Sequence, residues 1–177
     1  MKPRLIDLQP TLNGDLLSLR PLRSDDFEAL FACASDPLIW EQHPQSDRFK
    51  RDVFFFFFDS AIRSGGALIA VDNKTRDIIG SSRFYNLQME QRLVVIGYTF
   101  LTRKYWGGLY NREMKRMMLS HAFEFLDTVQ FEIGASNLRS RRAIEKIGAQ
   151  FLKKQMFDGR AHCVYRIDKK AFAKVFA

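Results

Sequence analysis

A chain of 177 residues with 46% hydrophobic and 14% aromatic content can bury one core without help from metal or disulfides. Its net charge of +8 is spread among acidic residues in most segments instead of forming a tail or an aromatic-interleaved stripe, which argues against a nucleic-acid-binding module. No apolar run approaches the roughly 20 residues of a membrane span, Met1-Lys-Pro-Arg lacks a signal peptide's apolar core, and Cys33 and Cys163, far apart, read as reduced thiols of a cytoplasmic protein.

In chain order, the pattern predicts a strand over 16–20 and a helix over 24–35, opened by Ser24 with Asp25 and Asp26 in its first turn. A second helix follows over 47–64, carrying Phe54 to Phe58. Five consecutive residues sweep about 500° of a helix, so the five rings cannot all share one face, and at least one is expected to meet a pocket, a partner or solvent. Strands are expected over 67–72, 78–85 and 93–101, the last apolar enough to be buried on both faces.

The segment Arg103-Lys-Tyr-Trp-Gly-Gly-Leu-Tyr-Asn-Arg-Glu-Met-Lys115 then joins that strand to a helix beginning near Asn111. Met114, Met117 or Met118, His121 or Ala122, and Phe125 mark its apolar face, with Arg112, Lys115 and Arg116 turned elsewhere. Free N–H groups at a helix start, beside paired glycines and cations, suit a phosphate. An ordinary connection whose glycines only turn the chain is the alternative, since neither the P-loop nor the dinucleotide spacing is present. A strand over 129–134, a helix over 137–147 ended by Gly148, and a strand pair over 150–157 and 162–167 around Asp158-Gly159 complete the chain. Interleaved strands and helices indicate a mixed α/β or α+β architecture around a central sheet, in a single domain spanning 1–177.

Strand, glycine turn, helix, strand, Asn137-x-x-Ser140, helix and Gly148-Ala149 resemble, in this order, the GNAT superfamily of acetyl-CoA-dependent N-acetyltransferases. The Tyr105-Trp106-Gly107 turn, the run from Asn137 to Ala149 and the segment Trp40-Glu-Gln-His-Pro44 bring it nearest the branch of ribosomal-protein N-terminal acetyltransferases. The resemblance implies a mostly antiparallel mixed sheet, splayed at its middle strands and flanked by about four helices. It also implies acetyl-CoA as co-substrate, with no metal. In the family's register Leu109 and Asn111 replace small residues of the usual turn, and a leucine fits there only with negative φ and its Cβ turned from the ligand.

By the same resemblance, backbone groups of Phe100 and Leu101 pair with pantetheine, the turn Trp106, Gly107, Gly108, Leu109, Tyr110 and Asn111 holds pyrophosphate, and Asn137 bonds the pantetheine arm. Many relatives protonate the departing thiolate with a tyrosine where this chain has Ile144, so Ser140, one turn earlier, is the general-acid candidate; its alternative role is to cap or solvate the helix start. Val95 stands where the branch usually carries a catalytic glutamate, which leaves Glu41, His43, Tyr98 and Glu113 as base candidates. The acceptor is a primary amine, with a protein N-terminus, an aminoglycoside-like amine and a polyamine all open. A GNAT domain that binds acyl-CoA without turnover, and more distantly a basic RNA-binding module, are the competing readings. Monomer and homodimer both remain open.

Overall fold

The computed structural model describes residues 5–176. Thirteen strands and α-helices follow one another among these: β1 (Leu12–Asn13), β2 (Leu17–Pro21), α1 (Phe27–Ala34), α2 (Arg51–Arg63), β3 (Ala67–Asp72), β4 (Ile78–Gln88), β5 (Leu93–Leu101), α3 (Tyr110–Phe125), β6 (Thr128–Gly134), α4 (Leu138–Glu145), β7 (Gln150–Phe157), β8 (Arg160–Asp168) and α5 (Lys169–Phe176). The fold is mixed α/β, as the interleaving predicts. Five helices stand where about four are expected, because α5 and the short β1 carry no signal distinct enough to anticipate.

The strands form one eight-stranded sheet in the order β1-β2-β3-β4-β5-β6-β8-β7. Neighbours are antiparallel except β5 and β6, which are parallel and pair only from Leu93–Thr128 to Val95–Gln130. Beyond Val95 the two strands continue to Leu101 and Gly134 without pairing, so the sheet opens into a wedge at its middle. A bulge adjoins that wedge. Ile96 and Leu101 are five residues apart, a spacing that puts side chains on opposite faces of a regular strand, yet both enter the same core. The extra residue lies in β5, where Gly97 to Phe100 oppose only Arg83 to Ser81, and Tyr98 takes φ of 53°. The expectation that β5 is buried on both faces therefore fails at its centre, where Tyr98 is 41% exposed.

Two apolar layers sandwich the sheet. On one face Met114, Met118 and Ala122 of α3 pack with Leu19, Phe84, Ile96 and, from the α4 region, Ile144 and Ile147. On the other, Leu30 of α1 and Phe54, Phe57 and Phe58 of α2 pack with Trp40, Ile69 and Phe100. The phenylalanine run divides as helical geometry requires: three rings are buried, while Phe55 and Phe56 are exposed.

Helix starts differ from expectation in detail. Residues 24–26 form a single 3-10 turn before α1, and the capping oxygen there is the Asp26 carboxylate, which accepts the Arg23 N–H and pairs with Arg20. Helix α2 begins at Arg51 and not at Asp47, since Lys50 is extended.

Candidate functional site

The wedge between β5 and β6 holds a cavity of about 260 Å³ whose walls include Gly97 to Leu101, Phe131 to Gly134, and Asn137 to Ser140 around the start of α4. It adjoins a second, broader recess of about 520 Å³ between the starts of α3 and α4. Gly107, Asn111, Arg139 and Ala143 line both, so the two are parts of one cleft.

At the outer end, Gly107 has φ of 71°, and a Cβ built there or on Gly108 meets nothing within 4 Å. Such a turn leaves its backbone approachable, and the N–H groups of the first turn of α3 follow it. Leu109 satisfies the condition for its presence, with φ of −83° and a side chain 66% exposed. Tyr110 does not face the cleft: its hydroxyl bonds Asp72 and its ring packs on Tyr105. Of the cations near the two helix starts, Arg112, Arg139, Arg142 and Lys146 line the recess. Arg112 also donates to the Val175 carbonyl and lies over the Phe176 ring, and others are engaged outside the recess: Arg103 pairs with Asp36, and Arg141 bonds the Tyr165 hydroxyl and the Ala135 carbonyl.

Trp106 ties this end to the strand. Its indole N–H donates to the Leu101 carbonyl at 2.8 Å, and the Arg139 guanidinium lies 4.0 Å from its ring centroid. Phe100 is buried, its ring 5.1 Å from Trp40. Asn137 caps α4 by accepting the Ser140 N–H on Oδ1, and Ser140 and Ile144 lie one turn apart on the helix face that lines the cavity.

The segment from Ile39 to Pro44 crosses the wedge as a strap. Trp40 rests on Phe100 of β5, the Gln42 side chain accepts the Arg139 N–H, and Pro44 sits so close to β6 that a Cβ on Gly134 would lie 2.5 Å from it. Glu41 of this strap is exposed and outside the cavity. His43 lines it, but Nε2 faces the Arg48 guanidinium, a group that only donates, and burial followed by that charge holds its pKa at about 3. Such an imidazole is a weak base. Glu113 is spent on structure, accepting the N–H groups of Asp15, Leu16 and Leu17.

The sequence pattern missed four groups here. Glu132 of β6 lines the cavity and accepts the Tyr85 hydroxyl at 2.9 Å, which helps push the tyrosine pKa up after burial. Arg48 and Arg83 are 7% and 4% exposed, and burial lowers both, Arg48 to about 10, so each keeps its charge at pH 7. Lys115, expected on an outward face, is instead 2% exposed and reaches the hydroxyls of Ser82 and Thr99 behind β5; burial brings its pKa to about 7. Alternation in 128–134 puts Glu132 on the polar face, the one available signal, but does not reveal that this face is roofed by the strap.

Among the described residues no group of three or more histidine, cysteine or carboxylate side chains could hold a metal, and no helix is long and apolar enough to cross a membrane. The family model described as an acetyltransferase (GNAT) domain matches residues 17–150. No curated protein matches the sequence. Among solved structures, a GCN5-related N-acetyltransferase from Brucella melitensis superposes with a TM-score of 0.84 at 16% identity, covering 94% of this chain and 82% of that one. A GNAT-family acetyltransferase from Bacillus anthracis gives 0.75 at 19% identity, covering 91% and 99%. Mycobacterium smegmatis RimJ in complex with CoA-disulfide gives 0.69 at 20% identity, covering 91% and 88%. With the wedge in the sheet, the open glycine turn and a family match over most of its length, the chain belongs to the GNAT acetyltransferases.

Proposed function

We propose that this chain is an N-acetyltransferase that moves an acetyl group directly from acetyl-CoA to a primary amine, as one domain, and that it sits nearest the ribosomal-protein N-terminal branch. The observation that carries the reading is the cleft itself: two helix starts, an open glycine turn and four cations converge on a recess continuous with the wedge between β5 and β6. The likeness to RimJ supports the branch assignment.

The residues fit the co-substrate's chemistry. Backbone at Gly107 and Gly108 and the N–H groups opening α3 would hold its pyrophosphate, with Arg112, Arg142 and Lys146 supplying opposite charge. Backbone of Phe100 and Leu101, on the edge of β5 that β6 leaves unpaired, would pair with the pantetheine amides, the Leu101 carbonyl sharing its acceptor capacity with Trp106, and Asn137 would donate from Nδ2. When bound, the coenzyme supplies an activated acetyl thioester. Glu132 accepts the proton that the attacking ammonium must lose, directly or through water, taking the role that Val95 cannot fill. Ser140 donates a hydrogen bond to the sulfur that leaves, since Ile144 has no proton to give. Backbone N–H groups around the bulge at Tyr98 stabilise the carbonyl oxygen.

Two titrations test this. Calorimetry should show coenzyme A binding in the micromolar range, and thiol release should appear with an amine acceptor. Binding without thiol release across a broad amine panel would favour a coenzyme-binding domain that does not turn over, and no binding at millimolar coenzyme A would remove the reading.

A further inference from the structure

Two buried guanidiniums stand at the inner end of the cavity, Arg48 on its wall and Arg83 just outside it. Arg48 Nη1 faces His43 Nε2 at 3.2 Å and Nη2 donates to Gln45 Oε1, but the buried Nε has no partner. Arg83 donates from Nη1 to Ser60 at 3.3 Å, and its buried Nε and Nη2 have none. Among the described residues neither arginine forms an ion pair. Both lie over the same two rings: Arg48 is 4.6 Å from the Phe57 centroid and 6.0 Å from Tyr98, and Arg83 is 5.6 Å and 4.1 Å from them. Aromatic faces offset part of the cost of burying cations but leave their N–H donors unsatisfied. Native proteins leave few such groups without a reason. Arg160 and His162 lie near enough to His43 to oppose its protonation, while Asp47 offsets part of the Arg48 charge without pairing with it, so cations outnumber carboxylates at this end. Among the described residues Glu132 is the one carboxylate on the cavity wall.

We infer that Arg48 and Arg83 form an anion subsite for the acceptor, whose substrate class is a primary amine bearing its own oxyanion, a carboxylate or a phosphate. Arg48, on the cavity wall, makes the direct contact; Arg83, behind the ring of Tyr98, adds the second charge. The arrangement also orients the acceptor, because an oxyanion drawn to the arginines leaves the amine on the side of Glu132 and the thioester. Polyamines and other polycationic acceptors would meet like charge there and are excluded by the same field. The inference rests on the acetyltransferase reading for the identity of the second ligand.

The test uses acceptors of matched length. Calorimetry on protein saturated with coenzyme A, which occupies the outer phosphate site, would compare 4-aminobutyrate with butylamine and putrescine, and O-phosphoethanolamine with ethanolamine. The anionic member of at least one set should bind about 10- to 100-fold more tightly than its neutral analogue, the range of a charged hydrogen bond, and the set that responds tells carboxylate from phosphate. Arg48→Gln should erase that preference while coenzyme A affinity stays unchanged. Equal or tighter binding of the neutral or cationic analogue in both sets by the wild-type protein would overturn the inference without any variant having to fold. Persistence of the preference in folded Arg48→Gln and Arg83→Gln would overturn it too. Failure of coenzyme A to bind is read in its own titration and would sink the acetyltransferase reading, and this inference with it.

Discussion

At the outer end of the cleft the groups that line it are backbone and near neighbours in sequence, around Trp106 to Asn111 and Asn137 to Ser140, whereas at the inner end Arg48, Tyr98 and Glu132 arrive from three separate places in the chain, with Arg83 behind Tyr98 from a fourth. The outer end is made by local geometry: a glycine with φ of 71° and two helix starts. The inner end is made by tertiary packing, with buried charge placed on aromatic rings around a bulge. In the proposed reading, local geometry serves the phosphates of the coenzyme and packed side chains serve the acceptor. The two ends should therefore fail separately when substituted.

The largest expected effect belongs to the inner end. Glu132→Gln keeps a partner for Tyr85 but removes the proton acceptor, and kcat should fall by about 10²- to 10⁴-fold at neutral pH. Coenzyme A affinity by calorimetry should stay within about twofold. A fall in both would join the two ends that the structure separates.

Next is Lys115, which lies behind the strand joining the ends. Its folded pKa of about 7 is below the 10.5 of the unfolded chain, so between these values the unfolded state holds the extra proton and stability rises with pH. The gap corresponds to roughly 5 kcal/mol, felt in full below pH 7. Urea denaturation of Lys115→Met should show greater stability than wild type at pH 6.5, with the difference shrinking steadily toward pH 9.5. The comparison between the two proteins cancels other titrating groups, and a constant difference would mean that Lys115 is not held near-neutral.

At the outer end, Gly107→Val places a β-branched side chain at positive φ and in space left open for the ligand, and coenzyme A affinity should drop about 100-fold. Acceptor discrimination among whatever turnover remains should be preserved. Ser140→Ala is the mildest change: kcat should fall about tenfold with acetyl-CoA binding unaltered, because water can replace a weak acid. A wild-type rate at saturating acetyl-CoA would reduce Ser140 to a residue of the helix start.

How much of this was legible in sequence follows the same division. The apolar run of 93–101 and the Gly107-Gly108 turn are signalled by neighbours in the chain, and they appear where the pattern places them. Lys115 was misread because helical periodicity sorts residues into faces without knowing that two strands behind one face, β4 and β5, each present a hydroxyl to receive an amine. Arg48, expected in the first turn of the helix over 47–64, lies in the turn ahead of α2, and Arg83 lies in a strand of mixed character, so nothing local distinguishes them from surface cations. Glu41 and His43 drew notice by chemistry alone; exposure removes the one, and the Arg48 guanidinium weakens the other.

The strap from Ile39 to Pro44 bears on which insertions the chain can accept. Surface loops ordinarily absorb added residues at small entropic cost, about 0.6 kcal/mol for each doubling of length. The turn at Asp158-Gly159 meets that description, with a Cβ on Gly159 touching nothing within 4 Å. The strap does not, because Trp40 is seated on one half of the sheet and Pro44 against Gly134 on the other, with Gln42 bonded to Arg139 between them. Its length is the gauge that sets how far apart the two half-sheets stand, so one residue added there changes the bore of the cleft, while residues added at 158–159 lengthen a single hairpin and bridge neither half-sheet to the other.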